Sequence, residues 1–159
     1  MKAATIHQLK KELHSLETPQ LIEHLLRLAK FKKESKELLS YLLFDAHDEA
    51  GYIEDIKEEI DTQFEEINTR NFYWAKKSLR KVLRNTNKYI RISGSNETEL
   101  TLLIYFCKKL KEADLIYNGS TQINNIYESQ LKKIRKVMDR LDEDLQYDYQ
   151  RDIAELETV

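Results

Sequence analysis

The sequence predicts an all-α protein: an antiparallel helical bundle, or a short helical-hairpin (HEAT-like) array, of about six to seven helices. Three observations lead there. The 159 residues include three glycines and one proline, where average usage gives about eleven and about eight. A turn-rich sandwich or barrel needs many more such punctuators. Apolar residues recur at helical spacing along almost the whole chain. Charged residues reach 34%, at 26 basic and 28 acidic, which suits long solvated helix faces.

The first helix is expected from about Thr5 to Leu16. Thr5 and Gln8 fit a capping box, and Ile6, Leu9, Leu13 and Leu16 share one face. Thr18-Pro19 restarts the chain as an N-cap residue followed by proline at the first helical position. Leu21, Ile22, Leu25, Leu26, Leu28 and Ala29 carry that helix to about Lys30. A third helix begins near Lys33 and holds Leu38, Leu39, Tyr41, Leu42, Leu43 and Phe44, with a break or bend over 46–51. The fourth places Ile53, Ile56, Ile60, Phe64 and Ile67 at 3-4-4-3 spacing, and a turn is expected over Asn68–Asn71. The fifth spans about Phe72 to Ile92, with Phe72, Ala75, Leu79, Val82, Leu83 and Ile90 inward.

Ser93-Gly-Ser-Asn96 reads as a loop, with Asn96 and Glu99 capping the helix that follows. That sixth helix, Glu97 to Tyr117, is apolar on most sides and is expected to be central, with a left-handed stop at Asn118-Gly119. A long last helix starts near Thr121. Its seam runs through Ile123, Tyr127, Ile134, Met138, Leu141, Leu145, Tyr149, Ile153 and Leu156, and its last turns, beyond about Tyr147, are expected to fray or to dock elsewhere. No fixed repeat period and no Gly/Ser/Pro-rich linker are present. The chain therefore reads as a single domain, 1–159, with a short-helix part at about 1–44 and a longer-helix part at about 45–150.

Charge is balanced in sum but segregated along the chain. Asp45–Thr69 holds ten acidic residues and one basic, Lys57, a net of −9. Arg70–Arg91 holds eight basic residues and no acid. On the fifth helix Lys77, Lys81, Arg84, Lys88 and Arg91 follow 4-3-4-3 spacing, forming a stripe roughly opposite the apolar face, with Tyr73 and Trp74 beside it. If both apolar faces turn to a common core, both charged faces point outward and only their flanks can pair. Two solvated faces with surface salt bridges, each worth less than about 1 kcal/mol, account for such blocks. A binding surface accounts for them as well. A basic stripe with adjacent aromatics suits phosphate contact with base stacking, whereas the neighbouring acidic block repels a polyanion. A protein partner of complementary charge, or a second copy, is the favoured partner class, with RNA or single-stranded nucleic acid as the alternative. In the last helix Lys132, Lys133, Arg135 and Lys136 precede Asp139, Asp142, Glu143, Asp144 and Asp148, an order unfavourable to the helix dipole at its C-terminal end and read as an acidic, solubilising tail.

No catalytic, cofactor-binding or metal-binding residues are assigned. His7, His14, His24 and His47 form no His-Glu-x-x-His or Glu-x-x-His pattern, and no Walker, Gly-x-Gly-x-x-Gly or Gly-x-Ser-x-Gly motif occurs. His47-Asp48-Glu49, near Asp45, has the groups of a carboxylate–imidazole site, but polar residues at a helix boundary explain it. Cys107 lies in the most apolar stretch, Leu102–Cys107, as a small core residue. The longest apolar runs are about six residues, so no membrane span is expected. The N-terminus lacks a signal-peptide apolar region, and a cytoplasmic location is expected.

The opening segment is Leu9-Lys-Lys-Glu-Leu13, Leu16, then Thr18-Pro-Gln-Leu-Ile-Glu-His-Leu-Leu-Arg-Leu-Ala29, then Lys32-Lys-Glu-Ser-Lys-Glu-Leu-Leu39. Over about residues 5–44 it resembles an uncharacterised bacterial family of small all-helical proteins, a domain of unknown function. The resemblance implies a helical fold and no activity. The short N-terminal hairpins also look like those of helical-repeat scaffolds, an analogy that favours a binding role. The expected function is a non-enzymatic interaction or scaffold protein acting through Tyr73, Trp74, Lys77, Lys81, Arg84, Lys88 and Arg91.

Overall fold

The computed structural model describes residues 1–116 and 120–158; the expected stop at Asn118-Gly119 lies outside them. The chain is all-α, with no strand among the described residues. The helices are α1 (Ile6–His14), α2 (Thr18–Phe31), α3 (Lys33–Ser40), α4 (Glu49–Glu65), α5 (Phe72–Ser93), α6 (Asn96–Glu112), α7 (Thr121–Met138) and α8 (Glu143–Glu157), with a wider π turn over Tyr41–Asp45. Among the described residues there are thus eight α-helices, not six to seven. The chain divides into two compact units, Met1–Phe44 and Asp45–Val159.

In the first unit, α1 starts on the expected capping box. Thr5 Oγ1 accepts from the Gln8 backbone N–H, and Gln8 Oε1 accepts from the Thr5 backbone N–H. The cap of α2 is Glu17, not Thr18: Glu17 and Gln20 cap reciprocally, and Pro19 falls within the first turn, where a missing N–H costs nothing. α2 packs on α3. Little in this unit is fully buried. Tyr41 is, whereas Leu9, Leu13, Ile22, Leu25 and Leu26 stay about half exposed. A groove of about 550 Å³ is lined by Ile6, Leu9, Leu13 and Leu21, with Lys10 and His14 on its rim.

The second unit is organised by α6, which packs against α4, α5, α7 and α8. Leu100, Leu102, Leu103, Phe106, Cys107 and Leu110 are fully enclosed, so several faces of one helix are apolar. α4 contributes Ile56 and Ile60; α5 contributes Ala75, Leu79, Val82, Thr86 and Ile90. Phe72, expected inward, is 39% exposed, because the first turn of α5 extends past the core. The turn before α5 forms as expected, with the Arg70 N–H donating to Asn68 Oδ1 and Asn71 capping Trp74. α5 ends on Gly94 at φ +71, a left-handed cap that glycine adopts without steric cost. The cap of α6 is Ser95, whose hydroxyl accepts from the Thr98 N–H, and not Asn96.

The expected long last helix is two helices. α7 ends at Met138, and Asp142, in an extended conformation, starts α8. The break removes the unfavourable charge order. Arg135 and Lys136 occupy the last turn of α7, and Glu143 and Asp144 the first turn of α8. Each group lies at the dipole end that stabilises it. α8 is held to the unit by buried Leu156 and by the Tyr127 hydroxyl, which donates to the Leu156 carbonyl at 2.6 Å.

Cys107 is fully enclosed, and burial pushes its thiol up to about 12. The thiolate is the reactive form. A thiol-selective reagent at neutral pH therefore leaves native protein unlabelled and labels one site per chain once urea unfolds it. Rapid native labelling would contradict the packing described for α6.

Candidate functional site

The acidic and basic helices meet along one flank, through hydroxyl groups. Tyr52 Oη donates to the Tyr89 carbonyl at 2.9 Å, and Tyr89 Oη donates to Glu59 Oε2 at 2.8 Å. Ser93 Oγ, near the end of α5, and Thr98 Oγ1 of α6 both donate to Glu49. Tyr105 Oη of α6 donates to Asp61 Oδ1 at 2.7 Å, and Lys109 Nζ lies 3.1 Å from the same carboxylate. The inward acids of α4 are thus held by tyrosine, serine, threonine and a lysine of α6. Asp55, Glu58, Glu65 and Glu66 point outward.

Partial burial pushes the pKa of Asp61 up, but the Tyr105 hydroxyl and the Lys109 ammonium outweigh it, so its carboxyl titrates below the ordinary aspartate value. The unfolded chain binds this proton more readily. The contribution is present above the unfolded pKa of about 3.9 and lost as pH falls through the lower folded value. The expected result is that Asp61→Asn is less stable than the parent at pH 6, and that the gap narrows as pH approaches about 3. Urea unfolding at several pH values measures it; a gap independent of pH contradicts the pairing.

The basic face of α5 points outward. Lys77, Lys81, Arg84 and Arg91 are exposed and Lys88 is half-buried. Among the described residues, no carboxylate is in ion-pair contact with Lys77, Lys81 or Arg84. At the start of the helix the residues gather. Tyr73 and Trp74, each about half exposed, pack edge-to-face with ring centroids 5.3 Å apart. Lys77 Nζ sits 5.1 Å from the Tyr73 ring and 5.3 Å from the Trp74 ring, and Lys76 also covers Tyr73. Lys88 instead lies over Tyr89 at 4.9 Å. Arg91, near the far end of the stripe, lines a cleft of about 390 Å³ with Asn87, Ser95, Glu99 and Lys133.

Sequence reasoning placed the α7 lysines apart from this site; the structure brings part of them to it. Lys133 Nζ donates to Asn87 Oδ1 of α5 at 3.1 Å. Lys133 and Arg140 both lie 3.8 Å from Glu99, near the start of α6. Arg135 points elsewhere, to Glu157 at 2.8 Å. The signal was available as the 3-4 spacing of Lys133, Lys136 and Arg140, but nothing in a linear sequence says which helix that side faces.

Among the described residues no cluster of His, Cys, Asp or Glu is arranged to hold a metal ion, and no helix is long and apolar enough to cross a membrane. No family model matches the chain, and no curated protein or solved structure matches it.

Proposed function

We propose that the chain is a non-enzymatic helical interaction module that binds an anionic macromolecule through the α5 face: Lys77, Lys81 and Arg84 with Tyr73 and Trp74. The observation that carries this reading is the outward run of cations lacking acidic partners beside two half-exposed aromatic rings. An unpaired cationic surface speeds and orients encounter with a complementary one, and Tyr, Trp and Arg are the residues that most often dominate binding energy. Two partner chemistries present the required charge. One is an acidic protein surface, which includes the outward face of α4 on a second copy. The other is a nucleic-acid backbone. The packing of sequence neighbours on one another, α4 on α5, α5 on α6 and α6 on α7, supports reading this unit as a bundle of antiparallel neighbours.

The test is the double variant Lys81→Glu/Arg84→Glu in the full chain. Both side chains are exposed, so the unfolding free energy is expected to stay within about 1 kcal/mol of the parent. Binding to immobilised polyanions, poly-L-glutamate and an oligothymidylate, is expected to disappear. Unchanged retention of the folded variant on both resins, or no retention of the parent on either, overturns the reading.

A further inference from the structure

The α5 face is one wall of a wider surface. Asn87 meets Lys133 at 3.1 Å, and Arg91 and Lys133 line one cleft. The sides of α5 and α7 carrying these residues therefore share a groove. On α5, Arg80, Arg84, Asn87 and Arg91 recur at 4-3-4 spacing on that side; α7 adds Lys133 and Lys136, and Arg140 follows in the turn after its end. α5 contains no acid. The one acid of α7, Glu128, is five residues from Lys133, about 140° round the helix. Glu99 of α6 reaches the groove, with Lys133 and Arg140 on it.

The acidic block lies elsewhere. α4 attaches to α5 mid-helix through Tyr89, two residues from Asn87 and so about 160° away round the helix; at the end of α5, Glu49 accepts from Ser93. Repulsion of a polyanion by the −9 segment, the sequence-level objection to nucleic acid, is thus moved across the width of α5. The aromatic pair stands nearer the start of α5. Tyr73 is seven residues before Arg80, two turns on the same side, and Trp74 lies against Lys77 beside it.

We infer that the anionic partner is a single-stranded nucleic acid, with its phosphates along the α5–α7 groove and a base stacked on the Tyr73–Trp74 pair; the inference rests on the α5 face being a binding surface. An acidic protein needs the cations alone. Half-exposed aromatic rings beside a cationic track are what base stacking uses, and every base offers a π-face.

Trp74 is the one tryptophan of the chain, so its fluorescence reports the site directly. The probes are an oligothymidylate and poly-L-glutamate, added to the full chain. The oligothymidylate is expected to quench Trp74 on binding. With Arg80, Arg84 and Lys136, the groove cations outside any ion pair among the described residues, each on a phosphate, its affinity falls on the order of 20-fold between about 50 mM and about 200 mM salt. Lys136→Glu, an exposed change on α7, is expected to weaken it about fivefold at roughly 0.1 M salt, one contact's share. If poly-L-glutamate binds in a Lys81- and Arg84-dependent way while the oligothymidylate does not, the partner is an acidic protein. The nucleic-acid inference then falls and the interaction module stands. If the oligothymidylate binds but leaves Trp74 unquenched, or binds Lys136→Glu as tightly as the parent, the stacked, two-helix groove is overturned. If neither probe binds, both readings fall.

Discussion

Phe106→Ala is expected to lower the unfolding free energy by about 3–5 kcal/mol. Phe106 is fully enclosed on α6, the helix that touches α4, α5, α7 and α8, and its ring meets Phe64 of α4 edge-to-face at 5.8 Å. Truncation removes the transfer free energy of the ring and leaves a cavity that four surrounding helices cannot collapse together. For a domain with roughly 5–15 kcal/mol in total, that is a large share. The comparison is Phe44→Ala, the same chemical change at a side chain 70% exposed, which is expected to stay within about 0.5 kcal/mol. Urea titration of both, read by circular dichroism, measures the difference. Equal midpoints for the two variants would mean that α6 does not organise the unit as described.

Gln130→Met is expected to act in the opposite direction, raising stability by about 1–3 kcal/mol. Gln130 is 7% exposed on the inner side of α7, and its side-chain oxygen accepts no hydrogen bond. A buried acceptor without a donor carries its full desolvation cost. Methionine matches the length and flexibility of glutamine and has no such oxygen. The thermal midpoint should rise by about 2–4 °C per kcal/mol for a chain of this size. Gln130→Glu, which places a carboxyl at the same position, should lower it. A fall on Gln130→Met would show that the amide contributes a contact that methionine cannot replace.

Local signals were legible where the physics is local. The Thr5–Gln8 box, the Asn68–Asn71 turn, the isoleucine face of α4 and the inward side of α5 from Ala75 onward all follow from spacing within one or two turns, and the structure has them. α6 was legible as central because a helix apolar on most sides must be surrounded. The break at 139–142 was not. Leu141, Leu145, Tyr149 and Ile153 continue the seam of α7 in register, so hydrophobic periodicity runs straight through it. The charge order was the clue: it is unfavourable for one helix and favourable for two. Phe72 failed because being in phase with the core does not place a residue within the core's length. At the site, the outward direction of Lys77, Lys81 and Arg84 was legible from the wheel. The juxtaposition of Asn87 with Lys133 was not, since it depends on which helices become neighbours across 46 residues of chain.

The position of α6 also dictates an order of events during synthesis. α4 and α5 leave the ribosome before α6, carrying Ile56, Ile60, Leu79, Val82 and Ile90 with no partner for most of that surface. Their shared lining is on α6, ending at Glu112. Until that residue clears the exit tunnel, the apolar faces of both helices wait without the lining they share.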